Sequence, residues 1–467
     1  MRKLLSWLLI SAMVATVACK KSDNPTPPPP PVDTTGNHNN NPSAMDLILD
    51  TAFGYTQGLY LWYKTIPDTV NDRRFTDPDG LMTYIRNYSI EPGFTKPVDK
   101  WSFGILKTDW DNTSSGITQD FGLGVFFFQQ KDLRVKYVER ASPAGIAGIK
   151  RGWQITKING SVNIDASNQA SINYIIQNVF QSSNTTFTFK LPDGTTQDVS
   201  LAADTYQEHP IFLDTVYNNV GGKTVGYMVF NSFLGDVTEI TNEFQRIFTR
   251  FTNAGVNDVI IDLRYNGGGY VDLQSKLAGY LLPSAANGQV LLNQKFNDYY
   301  TQFDTTINVS KQGSLNLSRI FFIMTDNTAS ASELLINNMR PYLDVKLIGP
   351  TNSYGKPVGF FPVPVSNWYI FPVSFRTTNK NGEGNYFGGF VPDKQVNDGL
   401  DKDWGDINEA CLASALKYIG TGAFRSAAAD APYIDKSQLR KGNDGLSGKE
   451  FKGMVANRHL NLQAIKK

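Results

Sequence analysis

The sequence predicts an α/β protein with a β-rich module ahead of its core and a small helical region ahead of both. Three observations carry this. From about residue 222, apolar strand patterns alternate with helical ones, as in "TVGYMVFNSF", "DVIIDLRYNGGGY", "SRIFFIMTDNTASASELLINNMRPY" and "VKLIGPTNSYGKPVGFF", and strand–helix alternation argues for an α/β core. Residues 118–204 instead hold a succession of short strand patterns. Residues 44–117 carry helical periodicity with many aromatics, and in "LILDTAFGYTQGLYLWYKTIPD" Leu59, Trp62 and Tyr63 fall on one helical face, which reads as core packing.

The elements divide the chain in order. Arg2 and Lys3 precede the apolar run Leu4 to Ala18, which ends at Cys19. The run is shorter than the ~20 residues a membrane span needs, and its layout is that of a secretory signal over 1–19. "TVAC" resembles a bacterial lipobox, which implies a lipidated Cys19, although Thr16 departs from the usual Leu or Val. "KKSDN" resembles the sorting region of surface-exposed Bacteroidetes lipoproteins. Both place the protein in the cell envelope, tied to a membrane by an N-terminal lipid. Residues 20–43, "KKSDNPTPPPPPVDTTGNHNNNPS", form a Pro/Asn-rich tether that cannot build a core. A helical region follows at 44–117, the β-rich module at 118–204, a linker around 205–222 leading into a core that runs to 420, and a polar tail at 421–467.

Composition excludes several classes. With 44 basic and 43 acidic side chains the formal net charge is +1, which gives no reason to expect nucleic acid as a partner. Cys19 and Cys411 are the two cysteines, so a lipidated Cys19 leaves no disulfide, and no Cys/His spacing predicts a metal site. No cofactor is predicted. "GPTNSYGKP" has five residues between its glycines and a proline after the lysine, so it is no Walker loop.

The chemistry centres on "TDNTASASELLINN". Ser330 with Glu333 fits a capping box before an apolar run. The same position suits a nucleophile, because the free N–H groups of a helix start, including that of Ala331, can stabilise an oxyanion. An alcohol nucleophile needs a base. Of the three histidines, His38 lies in the tether, His459 in the tail and His209 in the linker. A lysine whose pKa is lowered by burial can serve instead, and Lys356 follows a strand in the Gly/Pro-flanked "SYGKPVG". The three glycines of "LRYNGGG" permit close backbone approach.

Together "LRYNGGG", "TASASELL" and "SYGKPVG" resemble peptidase family S41, the C-terminal processing or tail-specific peptidases, over roughly 118–415. "GLGV" (Gly122, Leu123, Gly124, Val125) and "SPAGIAGIKRGWQITKING" resemble a PDZ domain, whose groove takes a peptide as an added strand while loop N–H groups hold its terminal carboxylate. The resemblance implies a ClpP/crotonase-like core, a Ser330 nucleophile with Lys356 as general base, oxyanion donors at Ala331 and Gly268, and protein substrates recognised through their C-termini. It makes Ser332 the lesser candidate. One departure stands out: Phe360 occupies the position where many members carry a glutamine that orients the lysine. That leaves open a non-catalytic binding protein on the same scaffold; an acyl-CoA enzyme with a related core lacks any CoA-binding signal.

Overall fold

The computed structural model describes residues 42–424, 439–446 and 450–456. The signal-like segment, Cys19, most of the tether, His38 and His459 lie outside the described residues. Helix α1 (Ala44–Leu59) opens on Ser43, whose hydroxyl accepts from Asp46 N–H at 3.1 Å while the Asp46 carboxylate accepts from Ser43 N–H at 2.8 Å. It buries Leu49, Ala52, Phe53, Thr56 and Leu59, an apolar stripe at helical spacing. The helix stops there, before Trp62 and Tyr63. Tyr60 turns extended, its hydroxyl donates to Asp99 at 2.8 Å, and Leu61 N–H donates to Val373 O at 2.8 Å. Tertiary partners override a periodicity that continues in sequence. Helix α2 (Pro78–Ile85) is capped by Asp77.

A small domain follows with its own hydrophobic core. Strands β1 (Leu123–Gln129), β2 (Asp132–Val138), β3 (Gln154–Ile158), β4 (Asn184–Lys190) and β5 (Thr196–Ala202) form one antiparallel sheet in that order. Between β3 and β4, helix α3 (Gln169–Phe180) buries Ile172, Ile175 and Val179. β1 is therefore an edge strand. A two-stranded ribbon, Ile117–Asp120 with Asp204–Gln207, leads in and out.

The main sheet is six-stranded. Its members are β6 (Ile211–Val220), β7 (Lys223–Phe230), β8 (Asp258–Asp262), and, after the short strand β9 (Gly268–Tyr270), β10 (Arg319–Ile323), β11 (Asp344–Gly349) and β12 (Lys394–Gln395). The order is β12-β11-β10-β8-β7-β6, parallel throughout except for β6. So the segment read as a linker contributes a strand, paired as a hairpin with β7. The apolar runs alternate between two covered faces. Val259, Ile261, Ile320 and Phe322 share a core with Phe244, Ile247 and Phe251 of α4 (Val237–Asn253). Ile260, Phe321 and Ile323 share another with Cys411, Leu412, Ala415 and Ile419. Helices α5 (Val271–Leu281) and α6 (Ala331–Met339) follow β9 and β10, and α7 (Ala410–Thr421) ends the core. This is an α/β fold.

Buried charges fix the small domain to the core. Arg151 of the small domain reaches Asp398 at 2.6 Å and the Tyr265 hydroxyl at 2.8 Å, while Arg264 bonds Asp262, Asp398 and Glu409 at 2.7–2.9 Å. Burial alone would raise the Asp398 carboxyl; Arg151 and Arg264 outweigh it and hold the group well below the usual range.

The region expected to be a polar tail is built into the structure where it is described. Helix α8 (Arg440–Leu446) lies on the small domain, and β13 (Gly453–Val455) pairs parallel with β9, Gly268 opposite Gly453. Gly453, Met454, Val455 and Ala456 are buried.

Candidate active site

Three chain turns meet at the carboxyl ends of β8, β10 and β11. After β8, Asn266 organises the glycine turn: its Oδ1 accepts from Gly268 N–H at 2.9 Å and its Nδ2 donates to Phe230 O at 2.9 Å. Gly268 sits at φ +104°, and a Cβ there would lie 2.3 Å from Gly453 O and 2.9 Å from Ala331 N. Only glycine allows that approach.

After β10 the chain turns into α6 through Ser330. Thr328 Oγ1 donates to Leu263 O at 2.7 Å, and Asn266 O accepts from Ala329 N–H and from Ser332 Oγ, both at 3.0 Å. These bonds press the serine turn against the glycine turn. Ser330 itself has φ +60° and ψ −107°, a region non-glycine residues occupy at a cost of ~1–3 kcal/mol. Its Oγ is buried and has no hydrogen-bond partner among the described residues. The two serines are thus separated by geometry: the Ser332 hydroxyl is engaged, the Ser330 hydroxyl is not.

Glu333 does more than the capping pattern predicts. Fully buried, it accepts through Oε2 from the N–H groups of Ser330 and Lys356, both at 2.8 Å. Through Oε1 it accepts from Ser353 Oγ and Gly355 N–H, both at 2.6 Å. One carboxylate therefore ties the serine turn to the lysine loop. Burial raises its carboxyl, and the four donated bonds oppose that rise.

Lys356 is also fully buried, and burial pushes its ammonium well below the ordinary lysine value, with Asp99 and Glu333 offsetting part of the effect. Its Nζ donates to Lys452 O at 3.1 Å, lies 3.8 Å from the centre of the Phe360 ring and 5.5 Å from that of Trp101. Nζ and Ser330 Oγ are not hydrogen-bonded to each other. Phe360 and Lys452 thus surround the amine where the family pattern leads one to look for glutamine. Phe360 is held to the C-terminal strand by its N–H donating to Met454 O and its O accepting from Ala456 N–H, each at 3.0 Å.

The remaining predicted residues are placed as follows. Ala331 N–H is the first N–H of α6, a position at which a helix offers no intrahelical acceptor. Gly268 N–H, in contrast, is taken by Asn266, so it is not presented as a free oxyanion donor in this structure. Gly122, Leu123, Gly124 and Val125 lie at the start of β1 and take no part in the cluster around Ser330; Gly122 N–H donates to Asp120 Oδ1 at 2.6 Å. His209 pairs with Glu239 at 2.5 Å. Sequence reasoning did not single out Asn266 or Lys452, nor Glu333 as a link between loops. Asn266 sits inside the quoted "LRYNGGG", but a side chain that closes a turn leaves no periodic signal.

Residues 224–396 match the family model for peptidase family S41. The match takes in the main sheet from β7 to β12. That span contains the glycine turn, Ser330, Glu333 and Lys356. The chain is 26% identical over 263 residues to a "Probable CtpA-like serine protease" of Staphylococcus aureus, covering 56% of this chain and 49% of the relative. A protein of the same description from Staphylococcus epidermidis is 22% identical over 262 residues, with 55% and 49% coverage. The chain thus spans about half the length of the curated relatives it matches. Among solved structures, a Bacteroides fragilis protein assigned to the S41 proteases superposes with a TM-score of 0.65 at 24% identity, over 80% of this chain and 97% of that one. This likeness is one of fold, over the core and the regions flanking it.

Proposed function

We propose that the protein is a serine endopeptidase in which Ser330 attacks the peptide carbonyl and Lys356 moves the protons. The observation that carries this is the shared carboxylate. Glu333 holds the backbone of a strained, unpartnered serine and that of a buried, readily deprotonated lysine through one oxygen atom.

Lys356 Nζ, neutral because burial disfavours its charge, accepts the Ser330 hydroxyl proton as Oγ bonds the carbonyl carbon. Catalytic hydrogen bonds are often long before substrate binds, so the Oγ–Nζ contact closes in the bound complex. Ala331 N–H faces the oxyanion. Lys356 then donates its proton to the departing amine, leaving an acyl-Ser330. Water adds to the ester with Lys356 again as base, and the acid product leaves. The Lys452 carbonyl and the Phe360 ring orient the amine in place of glutamine.

The small domain, with its edge strand and the Gly122–Val125 loop, is read as a PDZ-type recruiter of protein substrates, and Cys19 as a lipid anchor in the cell envelope. Radiolabelled palmitate that enters wild type but not Cys19→Ala is the result expected for the anchor. The catalytic reading is tested with Ser330→Ala and Lys356→Ala on unstructured proteins. Loss of cleavage in both supports it; no cleavage by wild type, or equal cleavage by the variants, refutes it. A second reading, a binding protein without hydrolysis, is favoured by the absent Ser330–Lys356 bond. Peptide binding without turnover would support it.

A further inference from the structure

Resting on the reading of the small domain as a peptide-binding module, a further inference concerns what fills its groove. Such a groove lies between an edge strand and a helix, and a ligand binds by satisfying the strand's outward N–H and C=O groups. Here the edge strand is β1 and the helix is α3. That position is held by α8 of the same chain.

Asn443 reproduces the backbone pattern of an added strand with a side chain. Phe127 N–H donates to Asn443 Oδ1 at 2.8 Å, and Asn443 Nδ2 donates to Phe127 O at 3.2 Å. Leu446 is buried in the small domain's core, together with Phe127, Ile172 and Ile175. Two glycines permit the close seating: a Cβ at Gly442 would lie 3.0–3.2 Å from atoms of Ala166, and one at Gly445 would lie 3.1 Å from Ile172. Gly442, Asn443 and Leu446 are buried while Asp444 is exposed. At the loop end, Asp120 already supplies a carboxylate to Gly122 N–H. Further along, Glu450 pairs with the buried Lys136, and Lys452 O receives the Lys356 amine. Residues 450–452 thus touch both the small domain, at Lys136, and Lys356.

We propose that the β1/α3 groove is an internal-peptide site whose resident ligand is Gly442–Leu446 of this chain. Its ligand class is a Gly-Asn-x-Gly-Leu helical turn, read through the Asn amide and the Leu side chain, rather than a free C-terminus. A tethered ligand competes at an effective concentration of about millimolar, so external peptides of the same class bind only when the resident segment is weakened.

The test uses the full chain as wild type, Asn443→Ala and Asn443→Ala/Leu446→Asp. Fluorescence anisotropy is followed with amidated "SQLRKGNDGLSG" (residues 437–448), its Asn→Ala counterpart, and a peptide with a free apolar C-terminus. The double variant is expected to bind the native-sequence peptide at least tenfold more tightly than wild type does, and the Asn→Ala peptide less tightly. Equal binding by wild type and variant overturns the proposal, as does a variant that takes only the free C-terminus. Binding of neither peptide overturns it together with the peptide-binding reading of the domain. All three leave the Ser330 and Lys356 assay unaffected. Hydrogen exchange at the Phe127 amide needs only Asn443→Ala: at least tenfold faster exchange is expected, and unchanged protection contradicts the proposal.

Discussion

Replacing Glu333 separates two levels of the site. The carboxylate serves four donors: Ser353 Oγ and Gly355 N–H on one oxygen, Ser330 and Lys356 N–H on the other. Glutamine keeps one accepting oxygen. With its NH2 turned toward Ser353, whose hydroxyl can rotate to accept, Gly355 N–H is the one donor left without a partner. An unsatisfied buried donor costs ~1–3 kcal/mol. The opposite orientation would strand both Ser330 and Lys356 N–H at roughly twice that cost, so the first is adopted and the backbone of Ser330 and Lys356 stays pinned. Relief of a buried charge brings the loss toward the lower end. Glu333→Gln should therefore unfold about 1–3 kcal/mol more easily in urea and keep measurable turnover. Glu333→Ala leaves three backbone N–H groups unpaired and frees both loops, so kcat should fall about 100-fold or more with a larger stability loss. Tryptophan fluorescence in urea and hydrolysis of an unfolded protein substrate read the two effects. If Glu333→Ala keeps wild-type kcat and unfolds within about 1 kcal/mol of wild type, the shared-carboxylate argument is wrong.

The remaining predictions concern the serine and the lysine. Ser330→Gly should be more stable than Ser330→Ala by about 1–2 kcal/mol, because φ +60° strains alanine but not glycine; equal urea midpoints would contradict this. Lys356→Met should be more stable than wild type at neutral pH. The folded-state pKa is depressed, so the unfolded chain binds the extra proton, and the wild-type deficit grows as pH falls below the ordinary lysine pKa of 10.5 and vanishes above it. A pH-independent difference would refute the buried-amine assignment. Phe360→Leu removes ~1 kcal/mol of ring stabilisation from the ammonium. The acid limb of the rate profile, set by loss of the Lys356 proton, should then move to lower pH; an unmoved or upward-shifted limb would show that the ring does not act on the amine.

Legibility in the sequence followed the range of the interactions. The strands β8 and β10 are readable because both faces are covered and their central runs, Val259–Ile261 and Ile320–Ile323, are unbroken apolar stretches. In sequence β6 reads as a linker, since its half-buried, Asn-rich "YNNV" lacks a clean alternation, as an antiparallel edge strand can. Ser330 and Glu333 were visible as a local cap. The bonds from Glu333 to Ser353, Gly355 and Lys356 span 20 to 23 residues and leave no periodic trace. The C-terminal stretch looked like a tail because Leu446, Phe451 and Met454 share no helical or strand period. They enter two separate surfaces: the small domain's core for Leu446, and the main core for Phe451 and Met454.

The central claim is that Ser330 becomes acylated with Lys356 as its base. Acid quenching during hydrolysis of an activated peptide ester, followed by peptide mass mapping, measures this directly. An acyl group on Ser330 is expected in wild type and is expected to be absent in Lys356→Ala. Turnover with the acyl group on Ser332, or with none on Ser330 under burst conditions, would contradict it.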